Sequence, residues 1–315
     1  MINADKPHLW KQDIVKSVDL FNNWFMKFAP KTYRDTRKQT TEQVINTIDL
    51  TDNLTDITID SLGEHPEVLP ILRMSTSPPL ARDRLVGLAH ANKNLVMKME
   101  EGKLAVRMYE DELNKNLHKI CKVIHELLDT DIFTWLPIKK KPTKQEKERA
   151  STIVADRLCG AVANPIIRNA QEQRQLALIK EYLEKRGYKH QSHLSGTPIT
   201  DIPPGIFSFR MNIPCGEEQN INIPVDVVIQ PKKLRQNNLP ILIEAKSAGD
   251  FTNVNKRRKE EATKMRQLKS AYGSEIQLIL FLCGYFDAGY LGYEAAEGLD
   301  WIWEHRIEDL KKLGI

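Results

Sequence analysis

The 315 residues carry 46 Lys and Arg against 42 Asp and Glu, a net charge of +4, with 41% hydrophobic and 28% charged residues. This balance is ordinary for a globular chain and excludes disordered, fibrous and strongly polyanion-coating compositions. No stretch approaches a membrane span, and Met1 to Trp10 lacks the apolar centre of a signal peptide, so a soluble cytoplasmic protein with no membrane partner is expected. Cys121, Cys159, Cys215 and Cys283 stand far apart. None has the spacing of a zinc site or a disulfide framework, and the scattered histidines form no triad. Buried, reduced thiols are expected.

Residues 1 to 138 read as mainly helical. Ile14, Val18, Phe21 and Phe25 are spaced four, three and four, which predicts an amphipathic helix over Asp13 to Phe28. Arg73, Arg82 and Arg84 flank a loop at Ser75 to Pro79, where arginine suits bidentate contact with guanine or phosphate. Asp83 between two of them makes structural ion pairs an equal alternative. Leu113, Leu117, Ile120 and Ile124 continue the helical period. The run from Lys139 to Arg149, KKKPTKQEKER, reads as a linker or basic loop. A second region, 150 to 315, follows it.

In that region Pro165 is expected to open a helix that stops at Gly187. Glu172 shares its stripe with Leu176, Ile179 and Leu183, so it can reach the sheet or serve as a capping or salt-bridging residue. Three strands are predicted, Ile221 to Gln230, Pro240 to Ser247 and Ile276 to Cys283, with a charged helix from Asn255 to Tyr272 between the last two. The order is that of an α/β (α+β) fold with a mixed sheet flanked by helices. Trp301 and Trp303 are expected to pack as structure.

Side chains alternate along a strand. Asp226 should therefore oppose the apolar set Ile221, Ile223, Val225, Val227 and Ile229, and Glu244 and Lys246 should share one face of the next strand. Two carboxylates can hold a divalent cation, and an ammonium can orient an attacking water or stabilise charge on a phosphate. The acidic-x-Lys pattern also occurs at Glu101 to Lys103 and Asp309 to Lys311. Only Glu244 lies in an apolar strand, after a second apolar strand bearing Asp226 and before a basic helix. In the segment NVNKRRKEEATKMRQLK, residues Asn253, Asn255, Lys256, Arg257 and Arg258 are candidate DNA contacts, with Lys259 and Arg266 on the exposed face. Glu260 and Glu261 fit the alternative of a solvated face with intrahelical ion pairs.

Pro224-Val225-Asp226 followed by Glu244-Ala245-Lys246 resembles the PD-(D/E)XK nuclease signature, with the proline displaced by one position. NADKPHLWKQDI, LRMSTSPPLARDRLVGLA, NPIIRNAQEQRQL and EAKSAGDFTNVNKRRKEEATK resemble the XamI-type family of type II restriction endonucleases over most of the chain. The resemblance implies a homodimeric, Mg2+-dependent enzyme without organic cofactor that cuts double-stranded DNA within a short palindrome. The family's name-giving member reads GTCGAC. Asp226 and Glu244 would be metal ligands, Lys246 the catalytic lysine and Glu172 an additional catalytic candidate. The 1 to 138 region would then serve recognition or dimerisation. A structure-specific repair or recombination nuclease, and an inactive DNA-binding protein with the same core, are the alternatives.

Overall fold

The computed structural model describes residues 1–104, 107–192, 198–216, 221–233 and 238–315, without the side chains of residues 253 and 255–257. The helices are α1 (Pro7–Leu50), α2 (Ile59–Glu64), α3 (Leu69–Met74), α4 (Arg82–Ala89), α5 (Lys93–Glu100), α6 (Glu110–Leu127), α7 (Trp135–Ile138), α8 (Lys144–Lys185), α9 (Phe251–Tyr272) and α10 (Ala288–Ala296). The strands are β1 (Lys189–His190), β2 (Ile206–Cys215), β3 (Ile221–Ile229), β4 (Ile241–Ala248), β5 (Gln277–Gly284) and β6 (Asp300–Trp303). The chain forms two compact units, one of Met1–Phe28 with Arg168–Ile315 and one of Ala29–Ile167. Their divisions fall inside α1 and α8, not in the basic run 139–149.

The unit of Ala29–Ile167 is helical around one apolar core. Leu117, Ile120 and Ile124 of α6 meet Leu85, Leu95, Trp135 and Val154 there, as the helical spacing predicts. Much of the expected linker is helix. Thr143 and Glu146 form a reciprocal cap, with Thr143 N donating to Glu146 Oε2 at 2.7 Å and Glu146 N donating to Thr143 Oγ1 at 3.3 Å, so α8 starts at Lys144. Pro165 does not open a helix; it lies within α8. Its missing N–H removes one helical bond. Buried Ala150, Val154 and Leu158 before it, and Leu176, Ile179 and Leu183 after it, hold the helix on either side. The stop is where the sequence places it: Gly187 has φ +74°, and Tyr188 N donates to Leu183 O at 3.0 Å.

The other unit holds a six-stranded sheet in the order β1-β2-β3-β4-β5-β6. β2, β3 and β4 are antiparallel neighbours, whereas β4, β5 and β6 run parallel. One face packs on α8 through Leu176, Ile179 and Leu183 against Val227, Ile243, Ile279 and Phe281. On the opposite face Met265 and Leu268 of α9 meet Val228, Leu242 and Leu278. Trp301 and Trp303 are buried with Leu280 and Leu282, as expected. β2, which follows Pro203 and Pro204, and the four-residue β6 lie outside the three strands that the sequence predicts.

One expectation about the faces is corrected. Val227 and Ile229 pack on the α8 side, but Val225 and Ile223 join the cluster on the α9 side. In β2 the same exchange separates Phe207 and Phe209 from Met211 and Ile213. The register passes from Phe209↔Val227 to Met211↔Val225, and the intervening Arg210 has φ +52°. A left-handed residue inside a strand rotates the chain, so both strands change sides at the level of Asp226.

Candidate active site

β3 and β4 are registered only from Val227↔Ile243 to Ile229↔Ile241. Asp226 and Glu244 are each the first residue beyond the last pair, where the strands part. β4 stays registered with β5 through Glu244↔Leu280 and Lys246↔Leu282, so the partner sheet edge holds it while β3 leaves. Asp226 Oδ2 accepts a hydrogen bond from Ala245 N at 2.8 Å, which ties the diverging strand back to β4 beside Glu244. Gly284 allows the far end of β4 to lie close. A Cβ there would sit 2.1 Å from Ala248 O, and its φ is +102°.

Two ammonium groups converge on Glu244. Lys246 Nζ is 3.2 Å and Lys264 Nζ 2.8 Å from its Oε1, while its buried Oε2 has no hydrogen-bond partner among the described residues. Lys264 reaches across from α9 and also donates to Pro224 O on β3 at 3.1 Å. Lys246 makes a second ion pair, 2.9 Å from Oε1 of Glu261, which is buried on α9. Burial and the nearby Glu244 push the Asp226 carboxyl up to about 6, despite the Ala245 hydrogen bond; Glu172 adds to the rise. Burial works against the charge of Lys246, but Glu244 and Glu261 outweigh it and hold the amine above the ordinary lysine range. Glu294 on α10 is fully buried, and burial with Glu261 nearby pushes its carboxyl up to about 8.

Asp226, Glu244 and Lys246 are therefore brought together. Glu172, at the end of the α8 stripe, accepts from Arg210 Nη2 at 2.7 Å. Ala262, Met265 and Leu268 are buried, with Lys259 and Arg266 exposed as expected. The reading of Glu261 as part of a solvated face is corrected: it lies on the buried stripe. Val254, Glu261, Met265 and Leu268 are spaced seven, four and three, and that helical spacing is the signal that could have found it. Arg258 stacks 4.7 Å from the Tyr293 ring centroid. The side chains of Asn253, Asn255, Lys256 and Arg257 lie outside the described residues.

In the helical unit Arg73 is buried. It donates to both oxygens of Glu100, at 2.7 and 2.6 Å, and to Leu80 O. Its guanidinium is thus committed to an internal ion pair, with Glu100 rather than Asp83 as partner. Arg82 and Arg84 are exposed on the first turn of α4.

The donor set suits a hard divalent cation. Two carboxylates, one with an orphaned buried oxygen, match the small number of protein ligands that Mg2+ takes alongside water and phosphate. Among the described residues no group of three His, Cys, Asp or Glu side chains could hold a metal by itself. The thiols at 121, 159, 215 and 283 are buried and unbridged, and no described helix is long and apolar enough to cross a membrane.

A mixed sheet between α8 and α9, opened beside two carboxylates and a lysine, defines an α+β protein of the restriction-endonuclease-like fold. A model of the XamI restriction endonuclease family matches residues 52–303. The type II restriction enzyme SalI of Streptomyces albus G is 58% identical over 314 residues, covering 100% of each chain. The chain belongs to the XamI restriction endonuclease family, a family of site-specific deoxyribonucleases.

Proposed function

We propose that this chain is a type II restriction endonuclease that acts in the cytoplasm as a homodimer. It uses Mg2+ to cut both strands of DNA within a short palindrome, leaving 5′-phosphate and 3′-hydroxyl ends. The observation that carries the reading is the placement of Asp226, Glu244 and Lys246 at the parting of β3 and β4. Two-fold symmetry of the protein matches a palindromic site.

Asp226 and Glu244 would hold the cation, which supplies Lewis acidity to the scissile phosphate and favours deprotonation of water. Lys246 is kept protonated by its two carboxylates, so its role is that of a cation: it orients the attacking water and balances charge growing on the phosphate. The water oxygen forms a new bond to phosphorus in line with the departing 3′ oxygen. One water proton passes to solvent and the 3′ oxygen takes one up, so one water is consumed per strand. Glu172, tied to Arg210, adds negative field behind Asp226. Arg82, Arg84, Arg258 and the basic segment with Asn253, Asn255, Lys256 and Arg257 are proposed DNA contacts; buried Arg73 instead holds its loop in shape.

The test is incubation of the purified protein with plasmid DNA and Mg2+, followed by sequencing of the ends. GTCGAC is the first site to examine. Discrete fragments with 5′-phosphates are expected. A smear or end-trimming would favour a structure-specific nuclease, and absence of cutting at every Mg2+ concentration would overturn the enzymatic reading.

A further inference from the structure

Glu244 is the most heavily countered group of the site. Its Oε1 receives two ammonium groups, one from its own strand and one from α9, while Oε2 receives none among the described residues. The two lysines are not equivalent. Lys246 has a second carboxylate, Glu261 at 2.9 Å, and stays charge-compensated whatever happens at Glu244. Among the described residues the other acceptor of Lys264 is a neutral carbonyl, Pro224 O at 3.1 Å. Lys264 thereby spans the gap from β4 to β3, two residues from Asp226, with its ammonium on the very carboxylate that a cation requires. Without Lys264, two buried carboxylates, Glu244 and Glu261, would share the single ammonium of Lys246, which is costly, so a protein that must fold before it binds a cation gains from a second one. A lysine on a long flexible stem is suited to leave, because its charge can reach water as soon as another cation arrives.

We propose that Lys264 is a placeholder cation: its ammonium neutralises Glu244 between β3 and β4 in the metal-free enzyme and gives up that carboxylate when a divalent ion binds. The inference rests on the reading of Asp226 and Glu244 as the metal-holding pair. It makes the metal affinity of the free enzyme the outcome of a competition, weakened by the bond that Lys264 must surrender.

The experiment measures calcium binding to the full chain by calorimetry, without DNA, for wild type, Lys264→Met and Glu244→Gln. Lys264→Met keeps the apolar stem and removes the competitor, so it should bind calcium about tenfold tighter, as loss of one charge-assisted hydrogen bond implies. Calcium should also raise its Tm by more than it raises that of wild type. Calcium affinity equal to or weaker than wild type in Lys264→Met, with binding lost in Glu244→Gln, would overturn the placeholder role alone. Unchanged binding in Glu244→Gln would overturn the metal-pair reading and this inference with it. If Lys264→Met does not fold, Lys264→Gln, whose amide can still donate to Pro224 O, carries the same comparison.

Discussion

Glu261 of α9 sets Oε1 2.9 Å from Nζ of Lys246 on β4, with Glu261 buried and Lys246 half-buried. A carboxylate so buried is expensive to keep charged, and the ammonium it faces supplies its counter-charge. Its effect is to fix the direction of the lysine, since a side chain with four rotatable bonds does not hold one position unaided. Glu261→Gln should lower the single-turnover cleavage rate about 10- to 100-fold, the usual cost of losing a group that orients a site. DNA affinity measured in calcium should stay near wild type. An unaltered rate would show that Lys246 needs no such support.

Glu294 makes stability depend on pH. Its folded carboxyl titrates at about 8, against an ordinary value of 4.5, chiefly through burial. Between those values the folded chain keeps a proton that the unfolded chain has lost, so stability falls as pH rises through the window. Below it this group costs nothing, and above about 8 the full penalty is present. Glu294→Gln removes the titration. Its stability advantage over wild type should grow from near zero at low pH to about 2–4 kcal/mol above pH 8, read by chemical denaturation across that range. A difference that does not vary with pH would contradict the assignment.

Gly284 should tolerate no side chain. The Cβ of alanine would meet Ala248 O at 2.1 Å in a left-handed backbone, so β4 or β5 must shift. Gly284→Ala is expected to cost about 3 kcal/mol or more. Thermal unfolding measures it, and because β4 carries Glu244 and Lys246, cleavage should fall as well. A Tm within a degree of wild type would mean the strand ends separate freely.

The arginines flanking the Ser75 to Pro79 loop should divide by function. Arg73→Ala strands half-buried Glu100 without its counter-charge and should destabilise the chain by about 2–4 kcal/mol. Arg82→Ala and Arg84→Ala remove exposed charges and should leave Tm unchanged. If they touch phosphate, each should weaken DNA binding and reduce the salt slope by about 1. Binding isotherms at several salt concentrations decide this, and unaltered slopes would remove both residues from the interface.

The sequence by itself carried the strands that matter, because Val, Ile and Leu alternate or run unbroken in β3, β4 and β5, and burying such runs needs a sheet. It also carried Asp226, Glu244 and Lys246, since neighbouring strands are short and a polar residue in an apolar strand stands out. The stop of α8 at Gly187 was legible for a local reason, the left-handed turn that glycine accepts. β2 was hidden by Pro203 and Pro204 just before it and Pro214 within it, and the change of sides at Asp226 by an alternation that runs on unbroken while Arg210 turns the backbone. Glu261 and Lys264 depend on where α9 lies against β4, a distance between elements that periodicity does not encode. Local pattern determined which side chains could do chemistry. Tertiary packing decided which charges meet, because electrostatic pairing depends on separation in space and on exclusion of water, and neither is a property of neighbouring residues in the chain.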